Sequence, residues 1–179
     1  MDLWTLPTAL RVGERYIPIN WEWRAVLGVL AILGEEAKPL WQRWFAAVDA
    51  FYAEPVPNRL LRPAVAQMEQ FITMGRPAAS GPKLFDWQAD AAEILSDLNR
   101  VAGRELRKES MHWWTFLGFF HAIGEGRFAE LVALRQKLSR GEKLTDGERE
   151  FCRLYPHRVR LPQPPDPQRE ALEKMLAEH

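Results

Sequence analysis

The chain has one cysteine among its 179 residues, Cys152, so no disulfide can form within it and packing and hydrogen bonds must hold the fold. Such usage fits a reducing compartment. Net charge is also missing: 24 Lys and Arg balance 24 Asp and Glu, leaving no overall field to draw in nucleic acid or an anionic membrane. Between Arg127 and Arg160 nine basic residues face five acidic ones. That local excess is interleaved with acids, so no nucleic-acid partner is expected. Long apolar runs are absent as well. The longest, 25–33 and 113–123, fall short of the ~20 residues that span a bilayer. Met1-Asp2-Leu3-Trp4 lacks the basic-then-apolar order of a secretory signal, and the expected compartment is the cytoplasm.

Catalytic signatures are equally scarce. There is no HExxH, CxxC or CxxH spacing, no phosphate-cradling glycine loop and no GxSxG elbow. His112 and His121 lie nine apart, which at about 100° per residue places them on opposite helix faces. Cys152 and His157 are separated by Pro156. No catalytic residue, cofactor or metal is therefore expected. An enzyme would have to assemble His112, Asp90 and Cys152 from separate helices.

What the chain does have is apolar bulk. Eight Trp and nine Phe, with 47% hydrophobic and 27% charged residues, are enough for one sizeable core. Leu10-Arg11-Val12, Gly13-Glu14 and Arg15-Tyr16-Ile17 alternate like a short hairpin, and Pro18 keeps it at an edge. Asn20 is placed to cap a first helix carrying Trp23, Val26, Leu27 and Leu30 and ending at Gly34. A second helix starts near Pro39 with Trp41, Trp44, Phe45, Val48 and Phe51, and a third carries Leu61, Val65, Met68 and Phe71. A Gly- and Pro-rich loop over 75–82 separates these from a fourth helix, capped by Asp86 and stopped by Gly103. The fifth, near Ser110 to Ile123, is apolar almost all round, which places it at the domain centre. A sixth covers Arg127 to Ser139, and Thr145 with Glu148 forms a capping box for a seventh. Five prolines within Tyr155–Pro167 predict a non-helical strap, followed by a short terminal helix.

Fold class is thus mainly α: a compact bundle of about six to seven helices with an N-terminal β-hairpin and a Pro-rich C-terminal extension. The helical domain covers 1–155, and the strap and terminal helix cover 156–179. Asp86, Asp90, Glu93 and Asp97 draw an acidic line beside the fourth helix's apolar stripe, best read as a solvated or intramolecular polar face. Trp41, Trp44, Trp87 and Trp113 lie on clean stripes and are expected in the core. Trp4, Trp21 and Trp114 are less constrained and are candidate anchors for a partner.

Several segments together resemble a bacteriophage family named for a gene-fifteen product. They are Leu6-Pro7, the run Val12 to Asn20 with Arg24, Asp86-Trp87-Gln88-Ala89-Asp90-Ala91, and His112-Trp113-Trp114-Thr115-Phe116 with Phe128 and Arg135 beyond. The resemblance covers roughly residues 6–155 in order. It departs at Leu95-Ser96-Asp97-Leu98, where relatives carry aromatics, and in the Pro-rich tail. It implies a siphophage or prophage tail-assembly chaperone in the host cytoplasm, which covers the tape-measure protein before the tail tube forms. Self-association, or a frameshift-related tail chaperone, would be further partners. The alternative is a permanent component of the tail or head–tail connector. In either case Asp86, Trp87, Asp90, His112, Trp113, Trp114 and Phe116 are expected to be structural, the Asp carboxylates accepting from indole or imidazole N–H groups where the fourth and fifth helices pack.

Overall fold

Leu10, Val12, Ile17 and Ile19 alternate with polar or exposed neighbours, and this period of two builds the hairpin. Strands β1 (Ala9–Val12) and β2 (Arg15–Pro18) pair antiparallel with Val12 opposite Arg15. Gly13, at φ +65°, makes the first position of the two-residue turn. A lone hairpin is marginal in water, and this one rests on the chain that leaves the second helix. Ala53 N–H donates to the Pro18 carbonyl (3.0 Å) and Asn20 N–H to that of Phe51 (2.8 Å). The computed structural model describes residues 4–77 and 80–162; the expected terminal helix and most of the proline strap lie outside these residues.

Helix α1 (Trp23–Gly34) turns Trp23, Val26 and Val29 inward. Its cap is Glu22, whose carboxylate accepts from Arg24 N–H, and not Asn20 as expected. Asn20 instead donates its side-chain amide to the Ala50 carbonyl (2.8 Å), a bond to the end of α2 that sequence-local capping rules do not reveal. Helix α2 (Leu40–Phe51) follows Pro39 and buries Ala47, Val48 and Phe51 against α1. Trp44 is partly buried against the core, but Trp41 is 63% and Phe45 51% exposed. The core expectation for Trp41 fails because Trp41 and Phe45 share a face rotated off the arc centred on Ala47 and Phe51, and nothing in the chain's described residues covers that face.

Helix α3 (Leu61–Ile72) enters through a 3₁₀ turn at Asn58–Leu60 and buries Ala64, Met68 and Phe71. Helix α4 (Ala91–Ala102) ends at Gly103, which adopts the left-handed φ of +66°. The Asp86 carboxylate accepts from Gln88 and Ala89 N–H (2.9 Å each), so it caps the tight turn before α4 while Asp90 stands at the helix N-cap. Helix α5 (Trp113–His121) is central, with Trp113, Trp114, Phe116 and Leu117 buried. Helix α6 (Arg127–Ser139) follows, then α7 (Asp146–Leu154), opened by the expected Thr145–Glu148 capping box. Among the described residues no helix is long and apolar enough to cross a membrane.

The strap expectation needs correction at its start. Pro156–Val159 forms a short helix, α8, with Pro156 at its first position, where the missing N–H costs nothing. Val159 is buried, and Arg135 donates to the Arg158 and Val159 carbonyls. Residues 156–159 therefore pack with the helical domain, and the boundary drawn at 155 falls too early.

The entry to α6 turns on one glycine. The buried Asp97 carboxylate on α4 accepts from Phe128 N–H (2.9 Å), satisfying an orphan donor in the first turn of α6. Gly126 has φ +130°, and a Cβ there would lie 2.3–2.5 Å from the Asp97 carboxylate. Gly126→Ala should therefore strain the backbone and displace the cap, costing at least about 2 kcal/mol in urea unfolding. A variant as stable as the wild type would show that this junction carries no strain.

Candidate functional site

The motif residues gather into two adjoining networks. The first is built on Arg135, 6% exposed, and Asp90, 3% exposed. Arg135 Nη1 donates to Asp90 Oδ2 (2.6 Å) and Nη2 to Oδ1 (2.8 Å), the two-pronged geometry that guanidinium and carboxylate favour. The same guanidinium reaches the carbonyls of Leu84 (3.1 Å), Arg158 (2.6 Å) and Val159 (2.9 Å), so its five N–H groups make five bonds. Asp90 also accepts from Asp86 N–H (2.9 Å). Burial raises the Asp86 pKa, but Lys83 and the two turn N–H groups outweigh it and hold the carboxyl below its ordinary value. The expected bonding of these carboxylates to indole or imidazole is not what forms; their partners are Arg135, Lys83 and backbone N–H groups.

The second network is aromatic. Trp113 Nε1 donates to the Ile72 carbonyl and Trp114 Nε1 to that of Phe71, each at 2.9 Å. Both carbonyls lie in the last turn of α3, beyond the regular helical ladder; that of Phe71 also accepts from Met74 N–H (3.2 Å). Trp114 is thus 3% exposed and bonded inside, which removes it as a surface anchor. His112 caps α5: its Nδ1 accepts from Trp114 N–H (3.0 Å). That fixes the other ring nitrogen as the donor, 3.0 Å from the Pro7 carbonyl. Trp21, partly buried, stacks on His112 with centroids 5.8 Å apart. Antiparallel bonds Trp113 N–H to Trp21 O (2.9 Å) and Trp23 N–H to Met111 O (3.2 Å) bring the starts of α1 and α5 together.

Trp87 joins the two networks. It packs on Trp113, Phe116 and Phe120 at 6.0, 6.1 and 4.7 Å between centroids. Trp23 stacks on Phe116 at 4.8 Å, its indole donating to the Glu109 carbonyl. The pairing of the fourth and fifth helices that the motifs led us to expect is therefore present, made by rings rather than carboxylates.

Asp90 and His112 do not share a site: one carboxylate is clamped by Arg135, and both nitrogens of the other ring are engaged. His121 is exposed at the surface, where partial desolvation and the nearby Arg76 guanidinium lower its pKa. Among the described residues no group of three or more His, Cys, Asp or Glu side chains is arranged to hold a metal. Trp4, by contrast, is 97% exposed. Sequence reasoning passed over two surfaces. One is the α2 face of Leu40, Trp41 and Phe45, all more than half exposed. The other is a groove of about 670 Å³ between α6 and α7, lined by Leu131, Leu134, Phe151 and Tyr155. Comparison with family models, curated proteins and solved structures returned no match.

Asp90→Asn or Arg135→Met leaves a buried charge without its counter-ion and should cost about 3–5 kcal/mol in denaturant unfolding, whereas the apolar pair Asp90→Leu with Arg135→Met loses less than the two singles together. Additive losses would show the two side chains act independently. For His112, burial pushes the imidazole pKa below its ordinary value, partly opposed by the Pro7 bond. The unfolded chain then binds the proton more readily, so stability is full above about pH 6.5 and declines as pH falls from there through the folded-state pKa. His112→Asn, which retains a capping oxygen, should flatten that decline in unfolding measured from pH 7.5 to 5. Parallel pH curves for the two proteins would remove His112 as its source.

Proposed function

We propose that this protein is a non-enzymatic assembly factor of a phage or prophage tail, acting in the bacterial cytoplasm as a chaperone for the tape-measure protein. The observation that carries this reading is the convergence of the resembling segments. Leu6-Pro7 meets His112 through the Pro7 carbonyl; Asp86-Trp87 and Asp90 meet Trp113 and Arg135. Residues far apart in the chain that carry the phage-family resemblance form one connected interior, as a shared family architecture would require.

The binding face we assign is on α2. Trp41 and Phe45 meet edge to face at 6.3 Å and, with Leu40, stand open to solvent. Clustered exposed aromatics of this kind mark sites where proteins meet. Between Ala25 and Val48 the charged residues are Glu35, Glu36, Lys38 and Arg43, so the long apolar stripe of a tape-measure helix would meet little unpaired charge here. Covering such a stripe keeps a long amphipathic helix from aggregating before its tube is built.

Co-expression with the tape-measure protein of the same genome, followed by pull-down and a solubility assay, tests the role. The wild type should co-purify and keep the tape-measure protein soluble. Trp41→Ser with Phe45→Ser should keep its fold by circular dichroism and lose at least about tenfold in binding. Absence of association, with this chain retained in purified tails, would instead establish the permanent tail component.

A further inference from the structure

We propose that His112 is a proton-operated latch for the N-terminal arm: residues 4–7 dock while its imidazole is neutral and leave when the ring gains a second proton. Trp4, Thr5 and Leu6 are exposed and Pro7 is half-buried, so burial gives the arm little grip. The bond that ties it to the buried interior runs from His112 Nε2 to the Pro7 carbonyl (3.0 Å). From Thr8 onward the chain is held separately, because the Thr8 carbonyl accepts from Ile19 N–H (3.0 Å) and β1 pairs with β2. The hairpin therefore stays when the arm goes.

The latch depends on the ring being used at both nitrogens. Nδ1 accepts from Trp114 N–H (3.0 Å) in the first turn of α5. A second proton turns that acceptor into a donor facing a donor, at a helix end whose dipole disfavours a cation. The imidazolium is accommodated only by turning toward water. Doing so withdraws Nε2 from Pro7 and uncovers the face of Trp21, stacked on the ring at 5.8 Å.

The charges around the ring do not restrain it. Glu22, across an isolated bridge from His112, has both carboxylate oxygens engaged by Arg24. Arg24 also donates to the carbonyls of Arg107 and Glu109, which sets its positive charge beside Glu109, the other acid on the approach to α5. The end of α3 brings Phe71 against the ring and has no charged residue over 70–75; the arm over 4–8 and α5 over 113–120 have none either. Burial lowers the pKa of the ring in the same sense, so opening falls below about pH 6.5. The latch is independent of what the α2 face binds.

The test follows the full chain by heteronuclear NMR from pH 7.5 to 5. The imidazole nitrogens of His112 report its protonation, and backbone relaxation reports the arm. Order parameters of the Thr5 and Leu6 amides should fall from about 0.85 to below about 0.6, with the midpoint of the His112 titration, while α3 and α4 stay rigid. His112→Asn, which does not titrate, should show no such transition. An arm already mobile at pH 7.5, or still ordered once His112 is protonated, overturns the proposal. So does loosening at a different midpoint, only together with α3 and α4, or unchanged in His112→Asn.

Discussion

Arg135 is the constraint around which the rest of the fold is arranged. A buried guanidinium is costly to desolvate, and it is tolerated only where every donor finds an acceptor and its charge a counter-ion. Here the acceptors come from three parts of the chain: Leu84 in the loop before α4, Asp90 at the start of α4, and Arg158 with Val159 in α8. An apolar residue at 135 could pack against α4, but it would not specify where the pre-α4 loop or α8 must lie. The guanidinium does, because each misplaced carbonyl leaves a buried N–H unpaired. That demand explains why residues 156–159, with a proline at the front, close into a helical turn against α6 instead of running on as an extended strap.

On the other side of Trp87 the same logic runs through neutral groups. The end of α3 is covered by α5, so its last carbonyls cannot all turn to water. Trp113 and Trp114 supply both donors from adjacent positions while burying two large ring systems. A Phe at 113 would fill similar volume and leave the Ile72 carbonyl without its donor, and a Phe at 114 would leave the Phe71 carbonyl with backbone N–H donors alone. His112 completes the set because a capping residue here must accept from Trp114 N–H and donate to Pro7 at once, which a neutral imidazole does across its two nitrogens. The aromatic motif is thus a set of hydrogen-bond donors delivered by apolar bodies. It ties α3, α5 and the N-terminal arm into one unit.

Local signals in the sequence accounted for much of this fold. The hairpin with its Gly13 turn, the helices opened by Pro39 and Thr145, and the stop at Gly103 all rest on chemistry within a few residues, and each forms as expected. What escaped was set by distant partners. Asn20 has the chemistry of a cap but bonds to Ala50. Asp86 and Asp90 read as an acidic stripe until Arg135, 45 residues on, claims one of them. That Arg had a signal of its own: three-and-four spacing puts it on the same face of α6 as Leu131 and Leu134, which is where a buried charge needs a remote counter-ion. Trp41 misled in the opposite direction: periodicity shows that a helix has an apolar side, but the width of the neighbour that covers it is not written in the helix. Trp41 and Phe45 fall just beyond what α1 reaches.

The division of aromatic residues bears on where recognition can reside. Trp23, Trp113 and Trp114 are buried, Trp21, Trp44 and Trp87 are partly buried against the core, and Trp4 and Trp41 stand exposed. Of the residues that make the chain resemble a phage family, His112, Trp113 and Trp114 have their polar side-chain atoms bound to other parts of the chain, whereas Leu6 and Tyr16 stand exposed. A partner could reach the buried set only by opening the core. Recognition by the folded protein must then rest on residues outside that set, where side chains can vary without disturbing the interior network. Motif and binding face are in that case under different physical constraints. The interior is held by unsatisfied-donor penalties that allow few substitutions, whereas the exposed α2 face carries no such penalty and can change its side chains without disturbing the network beneath it.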